Sequence, residues 1–414
     1  MRLLLLVLLT AGMTFAQETR RTSIGVLLGL FAAASGVVPQ ATAAPGKSMT
    51  TASSYFVYVG TYTGTTSKGI YGFRFDPKTG QFTSTGLVAE LPNPSWLVTD
   101  PQHRFLYAAT EMGPEPGADD YKKNGSISAY SINAKTGALT FLNKVDAGGG
   151  GSCHLVVDKT GKVLFVANYG SGNDASFAIK ADGSIGERTG FDQHSGSSID
   201  PARQTGPHAH AVVLSPDNRF LFVPDLGLDQ IKIYRVDAAK GTFTPNDPPF
   251  ATVKAGLGPR HFTFGHGAKF AYTLCEMGSS VAVFAYDPAK GSLTPLQTIS
   301  TLPSGFKGED NSAEIEVDRS GRFLYASNRG SDTITVFAID PVKGTLTKVQ
   351  VEPTQGKIPR NFAIDPTGKY LVAANQNSDK MVVFDVDQSD GQLKPAGQVL
   401  SVPAPVSILF VPAE

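Results

Sequence analysis

The 414-residue sequence predicts an all-β protein in which seven four-stranded antiparallel blades form a closed ring. Three observations lead to this prediction. One hairpin pattern recurs seven times, a second pair of strands lies between successive hairpins, and the two ends of the chain carry complementary lone strands. Units of four short strands repeated about every 50 residues are typical of a β-propeller, whose blades pack face to face around a central channel.

The recurring hairpin consists of an apolar strand, a turn that contains glycine, and a short second strand. IYGFRFDPKTGQFT (residues 70–83) and VAVFAYDPAKGSLT (residues 281–294) are two of its copies. The seven turn glycines are Gly80, Gly137, Gly183, Gly241, Gly291, Gly344 and Gly391. Because successive turn glycines lie 46 to 58 residues apart, each unit has room for two further strands.

The second strand pair has the form PRNFAIDPTGKYLVAANQ (residues 359–376). Its first strand is apolar on both sides, at residues 362–364 and again at 212–214, as a strand packed between two blades should be. The chain starts with a lone second strand at residues 55–61 and finishes with a lone first strand at residues 406–411. We expect these two strands to share one blade and so to close the ring without an exposed edge.

The N-terminal region predicts an export signal. Two short apolar blocks, residues 3–9 and 24–38, each follow an arginine and precede small residues typical of a cleavage site. Neither block reaches the ~18 apolar residues of a membrane span. We therefore expect a leader at residues 1–43, a short linker at 44–54, and a propeller domain at 55–414. This organisation indicates a periplasmic or extracellular protein with no membrane span in the mature chain, whichever of Met1 and Met13 is the start.

The composition excludes several classes of protein. Lys and Arg number 36 and Asp and Glu also number 36, so no basic excess favours a nucleic-acid partner. A hydrophobic content of 41% excludes wholesale disorder. Two cysteines cannot build a disulfide framework or a four-thiolate zinc site. The partner that remains is a small molecule, and no oligomeric state is predicted.

Polar residues gather on one face of the predicted ring. The loops that enter the first strand and leave the second strand of each blade share one face, which we call the upper face. Aligning the units brings four histidines to the channel mouth on this face: His154, His208, His210 and His261. It brings three arginines to the same mouth: Arg260, Arg329 and Arg360. The neighbouring carboxylates include Glu276, Glu314 and Asp310.

Converging arginines indicate an anion site, because the planar guanidinium binds carboxylate or phosphate in a bidentate manner. The alternative is that these polar residues only satisfy backbone groups where strands end. That alternative suits short side chains such as Asn328 better than it suits arginine. We therefore favour an anion site at the upper mouth.

Several motifs occur along the chain in a fixed order. The most specific is HSGSSIDPARQTGPHAH (residues 194–210), and GLGPRHFTF (256–264), FLYASNRGSD (323–332) and PRNFAIDPTGKYLVAANQ (359–376) follow it. From about Tyr55 to its end the chain resembles the seven-bladed lactonase family. This family includes bacterial propeller-type 6-phosphogluconolactonases and, more remotely, fungal carboxymuconate cycloisomerases.

The resemblance implies catalytic roles at positions that the alignment of the blades also selects. The catalytic candidates are His208, His210, Arg260 and Glu276. The candidates for substrate binding are Arg329, Arg360, His154, His261, Asn328 and Gln376. In one departure from the family, Cys275 stands where an asparagine is usual. Export is a second departure, because phosphogluconolactone is a cytosolic metabolite.

Lactone hydrolysis requires a base that activates water, positive charge for the oxyanion, and a proton for the departing alkoxide. We assign the base to His210 or His208, the complementary proton transfer to Glu276, and oxyanion stabilisation to Arg260. Arg329 and Arg360 would hold a carboxylate or phosphate of a small anionic lactone. No cofactor and no metal are predicted.

Other functions fit the same residues less well. A secreted binding propeller without enzymatic activity would use the same mouth, because a fold alone proves no chemistry. A muconate-type lactonising cycloisomerase would share the arginines and differ in its substrate. Cys153 beside His154 permits a thiol nucleophile, and His154, His208 and His261 permit a zinc site, but no spacing requires either.

Overall fold

The computed structural model describes residues 52–111 and 125–414, which contain 28 β-strands and two short 3-10 turns at His266–Ala268 and Gln376–Ser378. The strands form seven antiparallel sheets of four strands each. Within this described part of the chain there is no α-helix. The predicted fold class, an all-β ring of seven four-stranded blades, is confirmed.

Each blade consists of four strands, named in order from the channel outward. Blade 1 contains β28 (Pro405–Pro412), β1 (Tyr55–Thr61), β2 (Gly69–Asp76) and β3 (Gln81–Glu90). Blade 2 contains β4 (Pro94–Thr99), β5 (Phe105–Thr110), β6 (Ser126–Ile132) and β7 (Leu139–Asp146). Blade 3 contains β8 (Ser152–Val157), β9 (Val163–Asn168), β10 (Asn173–Ile179) and β11 (Ile185–Gln193).

The remaining blades follow the same order along the chain. Blade 4 contains β12 (Val213–Leu214), β13 (Phe220–Asp225), β14 (Gln230–Asp237) and β15 (Thr242–Thr252). Blade 5 contains β16 (Pro259–Phe264), β17 (Phe270–Cys275), β18 (Ser280–Asp287) and β19 (Ser292–Ser300). Blade 6 contains β20 (Asn311–Val317), β21 (Phe323–Arg329), β22 (Thr333–Ile339) and β23 (Leu346–Pro353). Blade 7 contains β24 (Pro359–Ile364), β25 (Tyr370–Asn375), β26 (Lys380–Val386) and β27 (Leu393–Ser401).

The ring closes through a strand from the C-terminal end of the chain. β28 pairs with β1 in antiparallel register, with Val57 opposite Phe410. On its two faces β28 packs against the first strands of the neighbouring blades, β24 and β4. The prediction that the two lone strands share one blade is therefore confirmed.

Apolar side chains fill the spaces between the blades. The described residues form seven apolar clusters, and each of them joins two neighbouring blades. Alternation along β1 shows why: Val57 packs towards blade 7, whereas the next residue, Tyr58, packs towards blade 2. Since successive side chains of a strand point to opposite faces, a second strand that is apolar at every position serves two interfaces at once.

The turns of the lower face, opposite the upper face, are stabilised mainly by hydrogen bonds between an aspartate side chain and the backbone of the same turn. Asp318 Oδ1 accepts hydrogen bonds from the backbone N–H groups of Arg322 at 2.9 Å and Phe323 at 2.8 Å. The glycine turns occupy the left-handed region, as at Gly137 with φ of 74°. A Cβ added there would lie 2.5 Å from Cδ1 of Phe56 in blade 1, so the repeated glycine is needed for contact between blades.

Blade 4 departs from the regular pattern on the upper face. Its first strand, β12, has only two residues, preceded by a single bridge between Ala209 and Asp225. His210, expected at the start of this strand, lies just before it and donates its N–H to the carbonyl of Pro224 at 2.9 Å. Because Pro224 has no N–H to return a bond, the ladder is incomplete at this point.

Across residues 52–111 and 125–414, none of the helical segments has the length and apolar character needed to cross a membrane. The predicted leader at residues 1–43 lies outside the described residues, as does most of the predicted linker at 44–54. Both therefore stay predictions.

Candidate active site

Four charged side chains meet at the upper mouth of the channel: Arg203, Arg260, Glu276 and Arg329. They are called the arginine–glutamate cluster below. Glu276, which follows the end of β17, is the centre of this cluster. Its Oε1 lies 2.8 Å from Arg203 Nη2, and its Oε2 lies 3.0 Å from both Arg260 Nε and Arg329 Nη2. The three arginines come from blades 5 and 6 and from the 194–210 loop, so the packing of consecutive blades brings them together.

The cluster carries excess positive charge in a largely buried place. Three guanidiniums face one carboxylate, and Glu276 and Arg260 are only 5% and 2% exposed. Burial would raise the pKa of Glu276, but Arg329, Arg260 and Arg203 outweigh it and hold that pKa well below its ordinary value. Burial and the neighbouring arginines lower the pKa of Arg260 to about 10. At neutral pH the cluster thus has one negative and three positive charges, which favours an anion.

His210 and His208 both lie beside the cluster but in different surroundings. His210 is buried, with Nε2 3.7 Å from Glu276 Oε2 and Nδ1 3.7 Å from Cys153 Sγ. Burial and the charge of Arg260 hold the pKa of His210 well below its ordinary value. His208 is half-buried and stacks on the Tyr169 ring at 4.5 Å. Its Nδ1 donates to the carbonyl of Tyr169 at 2.9 Å, which leaves the lone pair on Nε2.

His154 and His261 lie next to each other on the first strands, with ring centroids 5.2 Å apart. His154 also stacks on Trp96 at 4.1 Å, and the His261 ring lies 5.5 Å from that of His210. All four predicted histidines therefore meet on the upper side of the channel. Burial holds the pKa values of His154 and His261 well below their ordinary value, so both are neutral near pH 7.

Arg360 belongs to a second charged group at the mouth. Its Nη2 lies 3.6 Å from Glu111 Oε2, and its guanidinium lies over the ring of Tyr62 at 5.1 Å. The hydroxyl of Tyr62 donates to the same carboxylate at 2.8 Å. The charge of Arg360 lowers the pKa of Arg260, which indicates that the two groups share one electrostatic environment.

Two predicted binding residues, Asn328 and Gln376, make the hydrogen bonds described here to neighbours other than the charged groups of the mouth. Asn328 is fully buried, and its amide donates to the carbonyl of Thr301 at 3.1 Å. Asn168 and Asn375 make the same bond, at 3.1 Å, to Ala147 and Thr354. Asn328 is therefore one of three asparagines that each hold the loop entering a blade. Its contacts support the alternative that it only satisfies backbone groups where strands end.

The second of these residues is Gln376. It begins the short turn Gln376–Ser378, and its amide donates to Asn377 Oδ1 at 3.1 Å rather than to a member of the arginine–glutamate cluster. Asp310, considered above as a partner for the arginines, instead accepts hydrogen bonds from Ser279 at 3.1 Å and Ser331 at 2.7 Å.

Arg203 was missed by the sequence analysis, although it lies in the most specific motif. It bridges Glu276 and the Tyr169 hydroxyl, at 2.8 Å and 3.0 Å, and its side chain is 39% exposed. The 194–210 loop that carries it lies outside the repeat, so aligning the blades assigns Arg203 to no column. The motif itself was the signal that could have revealed it.

Buried charges anchor the 194–210 loop. His194 has Nδ1 2.6 Å from Asp225 and Nε2 2.6 Å from Asp174. Burial would lower the pKa of His194, but the two carboxylates outweigh it and raise that pKa to about 10. At the other end of the loop, Asp229 accepts hydrogen bonds from Ser198 at 2.6 Å and Gln204 at 2.8 Å. These contacts hold Arg203 and His208 over the mouth.

The two cysteines do not resemble nucleophiles. Burial raises the pKa of the Cys275 thiol to about 12, and burial also raises that of Cys153. A thiol of such high pKa is not ionised near neutral pH. Cys275 packs in the apolar cluster between blades 4 and 5, and Glu276 next to it keeps its three arginines. As for the zinc alternative, the described residues contain no group of three or more His, Cys, Asp or Glu side chains that could hold a metal ion.

The mouth thus combines a positively charged cluster with the neutral imidazoles of His154 and His261. Comparisons with known proteins identify the family. Residues 56–410 match the family described as "Lactonase, 7-bladed beta-propeller". A 6-phosphogluconolactonase of Bacillus subtilis is 32% identical over 86% of this chain and 98% of its own. A 6-phosphogluconolactonase of Formosa agariphila is 34% identical over 74% of this chain and 86% of its own.

A solved structure agrees in fold over the same region. The periplasmic gluconolactonase of Pseudomonas aeruginosa has a TM-score of 0.82 and 35% identity, over 87% of this chain and 100% of its own. The chain therefore belongs to the lactonase family of seven-bladed β-propellers, and the predicted hydrolase class is confirmed.

Proposed function

We propose that the chain hydrolyses the lactone of a sugar acid that carries an anionic group, at the upper mouth of the channel. The observation that supports this most is the arginine–glutamate cluster, where three guanidiniums surround one buried carboxylate. Such a site attracts an anion, and its burial strengthens the electrostatic stabilisation of a developing negative charge. The relatives named above act on phosphogluconolactone or gluconolactone according to their names, which supports the same substrate class.

The general base in this proposal is His208. Its Nδ1–H is held by the Tyr169 carbonyl, so Nε2 can accept a proton from water. His210 is the weaker candidate because it is buried and its pKa lies well below the ordinary value. His208 Nε2 removes a proton from water, the hydroxide oxygen bonds to the lactone carbonyl carbon, and a tetrahedral oxyanion forms. When the ring C–O bond then breaks, the imidazolium returns the proton to the alkoxide.

Arg260 is assigned to the oxyanion. A guanidinium has five N–H donors, of which Nε faces Glu276 and Nη1 reaches His261 and the carbonyl of Ala313. The two donors of Nη2 are assigned to the carbonyl oxygen of the substrate. Because these donors are fixed before the reaction, they need no reorganisation as charge develops.

Arg329 and Arg360 are assigned to the anionic group of the substrate, and Arg203 joins them because its side chain is partly exposed. The side chains of Arg329 and Arg360 are 13% and 14% exposed, so both can reach a ligand at the mouth. Arginine suits this role because two parallel N–H groups match one carboxylate or phosphate.

Glu276 is assigned a different role from the proton transfer expected from the sequence. In the free protein three arginines keep it ionised, so proton transfer through it would require those arginines to turn away first. We assign it the role of holding three mutually repelling guanidiniums at one point. Without this carboxylate, the arginines would separate and the anion site would be lost.

The proposal is tested with a panel of lactones, phosphorylated and not, offered to purified protein. We expect hydrolysis of at least one sugar lactone, and its loss in Glu276→Gln, with circular dichroism and thermal unfolding used to establish that the variant is folded. A folded wild-type protein that opens no lactone in the panel would contradict the proposal. Full activity in folded Glu276→Gln would contradict the assignment of the active site to the arginine–glutamate cluster.

We also propose that the protein is exported to the periplasm or beyond. The two leader-like blocks in residues 1–43 support this, and the Pseudomonas aeruginosa relative is described as periplasmic. Cell fractionation followed by N-terminal sequencing tests it, with a mature N-terminus near Ala44 as the expected result. A protein retained in the cytosol with residues 1–43 intact would rule out export.

A further inference from the structure

A continuous chain of hydrogen bonds connects the closing strand of the ring to Arg260. The N–H of Ile408 in β28 donates to Asn361 Oδ1 at 2.9 Å, and Asn361 Nδ2 donates to Glu314 Oε2 at 2.6 Å. Glu314 Oε1 lies 3.0 Å from His261 Nδ1, and His261 Nε2 lies 3.0 Å from Arg260 Nη1. The chain crosses blades 1, 7, 6 and 5 beneath the mouth.

Both ends of this chain fix the direction of every hydrogen bond in it. The backbone N–H of Ile408 can only donate, so the oxygen of the Asn361 amide faces it and the nitrogen faces Glu314. The guanidinium of Arg260 can also only donate, so His261 Nε2 accepts and the proton of the ring lies on Nδ1. Donors thus reach Glu314 from both sides, and the N–H of Ile315 adds another at 3.0 Å. This arrangement requires an ionised carboxylate.

We propose that Glu314 is a positioning residue whose ionised carboxylate, acting through His261, fixes the orientation of the Arg260 guanidinium. If Glu314 is protonated, a hydroxyl donor faces either the amide N–H of Asn361 or the Nδ1–H of His261. Moving the His261 proton to Nε2 relieves the second conflict, but Nε2–H then faces the N–H of Arg260. In each case one link is broken: either Glu314 loses its anchor on Asn361, and with it the fixed position from which it holds His261, or Arg260 loses His261 as an acceptor. This inference rests on the lactone hydrolysis proposed above.

The surroundings of Glu314 set the pH at which this occurs. Burial raises its pKa to about 7, against the opposing effects of Arg260 and of the hydrogen bond from the N–H of Ile315. The ionisable groups that face it are Arg260 and His261 of β16, His154 of β8, and Glu316 of its own strand; β24 contributes the neutral amide of Asn361. His154 and His261 remain neutral in this range because their pKa values lie well below the ordinary value.

The sign of the pH dependence follows from the active form being the ionised one. As the pH falls through about 7, Glu314 takes up a proton and the fraction of protein with a fixed Arg260 decreases. We therefore expect the part of kcat/KM that depends on Glu314 to fall towards a level about 10- to 100-fold lower as Glu314 is protonated. Glu276 and His210 do not contribute to this change, because their pKa values are held far lower. A general base that must be deprotonated adds its own acidic limb in wild type and in every variant, so the effect of Glu314 is the difference between the profiles of wild type and Glu314→Gln.

Two variants separate positioning from simple packing. In Glu314→Gln the new amide can accept from His261 with its oxygen, but its nitrogen then faces the Asn361 nitrogen, so two donors oppose each other. We expect kcat/KM to fall about 10- to 100-fold, as for the loss of one hydrogen bond to a charged group. In the double variant Glu314→Gln/Asn361→Asp every donor again faces an acceptor, because the introduced carboxylate accepts from both the N–H of Ile408 and the new amide. We expect it to recover most of the activity.

Glu316→Gln is the matched control. Glu316 lies two residues further along β20, is also buried enough for its pKa to rise to about 8, and accepts a hydrogen bond from the N–H of Ile364 at 3.0 Å. We expect this variant to retain the wild-type activity at high pH. The change attributed to Glu314 should stay near the pH found for wild type, because Glu316, with a pKa of about 8, is largely protonated near pH 7 and its replacement removes little charge there.

The experiment measures kcat/KM from pH 5 to 9 for wild type and the three variants, with any lactone that wild type opens. In parallel, 15N NMR of labelled histidine, assigned with His261→Gln, follows the His261 ring. We expect the Nδ1–H form in wild type above pH 7, a change with a midpoint near 7, and no such change in Glu314→Gln. A general base that must be deprotonated gives an acidic limb in every variant, so the persistence of a limb in Glu314→Gln decides nothing by itself. A double variant no better than the single, or a His261 signal that does not change near pH 7 in wild type, would overturn the inference. If wild type opens no lactone, the proposed function fails, while the wild-type NMR titration still decides the role of Glu314.

Discussion

On the lower face of the ring, carboxylates such as Asp318 accept hydrogen bonds from backbone groups four and five residues away. On the upper face, Glu276 is held by side chains from other segments, among them Arg203, 73 residues away in the sequence. The same repeat generates both faces. A carboxylate whose hydrogen bonds come from its own turn stabilises the fold. Burying a carboxylate whose partners come only from other blades costs desolvation free energy, and such a site is explained by the ligand that it binds.

The largest loss of activity is expected on replacing the proposed general base at the upper face. His208→Asn should lower kcat about 100- to 10,000-fold, because a positioned general base contributes that much to a proton transfer. His210→Asn should lower it less, since His210 is buried beside Glu276. Steady-state kinetics at pH 8 compares the two variants. The opposite order would assign the base to His210.

A somewhat smaller loss is expected at the oxyanion position. Arg260→Ala should lower kcat about 100- to 1000-fold, as for the removal of an oxyanion donor. Arg260 is also bonded to His261, so Arg260→Lys, which keeps the charge but lacks the planar fork, is the informative companion. Both variants are assayed with the lactone that wild type opens fastest. An Arg260→Lys enzyme as active as wild type would show that charge alone suffices.

The next effect concerns the substrate anion. Arg329→Gln should raise KM about 10- to 100-fold for a phosphorylated lactone, because one charge-assisted bidentate contact is lost. The rise should be smaller for the lactone without phosphate. Parallel KM measurements on 6-phosphogluconolactone and gluconolactone test this. An equal rise for both would remove Arg329 from the anion site.

The smallest effect on activity is expected at the lower face, where the change should affect stability alone. Asp318→Ala removes the acceptor for three backbone N–H groups, those of Ser320, Arg322 and Phe323, and should lower the free energy of unfolding by roughly 1–3 kcal/mol. Its kcat and KM should match those of wild type at 25 °C. Urea unfolding and kinetics on the same sample measure both. A loss of kcat in this variant would break the distinction between the two faces.

The regular parts of the molecule were predictable from the sequence, because they depend on local chemistry. Turn glycines such as Gly137 mark each blade, and the apolar lone strand at residues 406–411 indicates how the ring closes. The alternation of side chains along each strand predicted that the histidines and Arg260 lie close together, since all of them lie near strand ends on one face.

The remainder depended on distances that strand parity does not give. Arg203 lies on a loop outside the repeat, so alignment of the blades could not place it. Asn328 has the parity of the mouth, yet its amide turns to the Thr301 carbonyl in the loop that enters its blade. The ionised state of Glu276 depends on three arginines from separate segments, and their approach to within about 3 Å could not be read from spacing.

The pairing of β28 with β1 has a consequence for how the enzyme acquires activity. β28 is the last of the described strands, and the N–H of its Ile408 orients the Asn361 amide beneath the upper mouth. A polypeptide emerging from a ribosome or a translocation pore can build blades 2 to 7 before this strand appears, but it cannot orient that amide. On the role proposed for Glu314, the full rate of catalysis therefore awaits the pairing of β28 with β1.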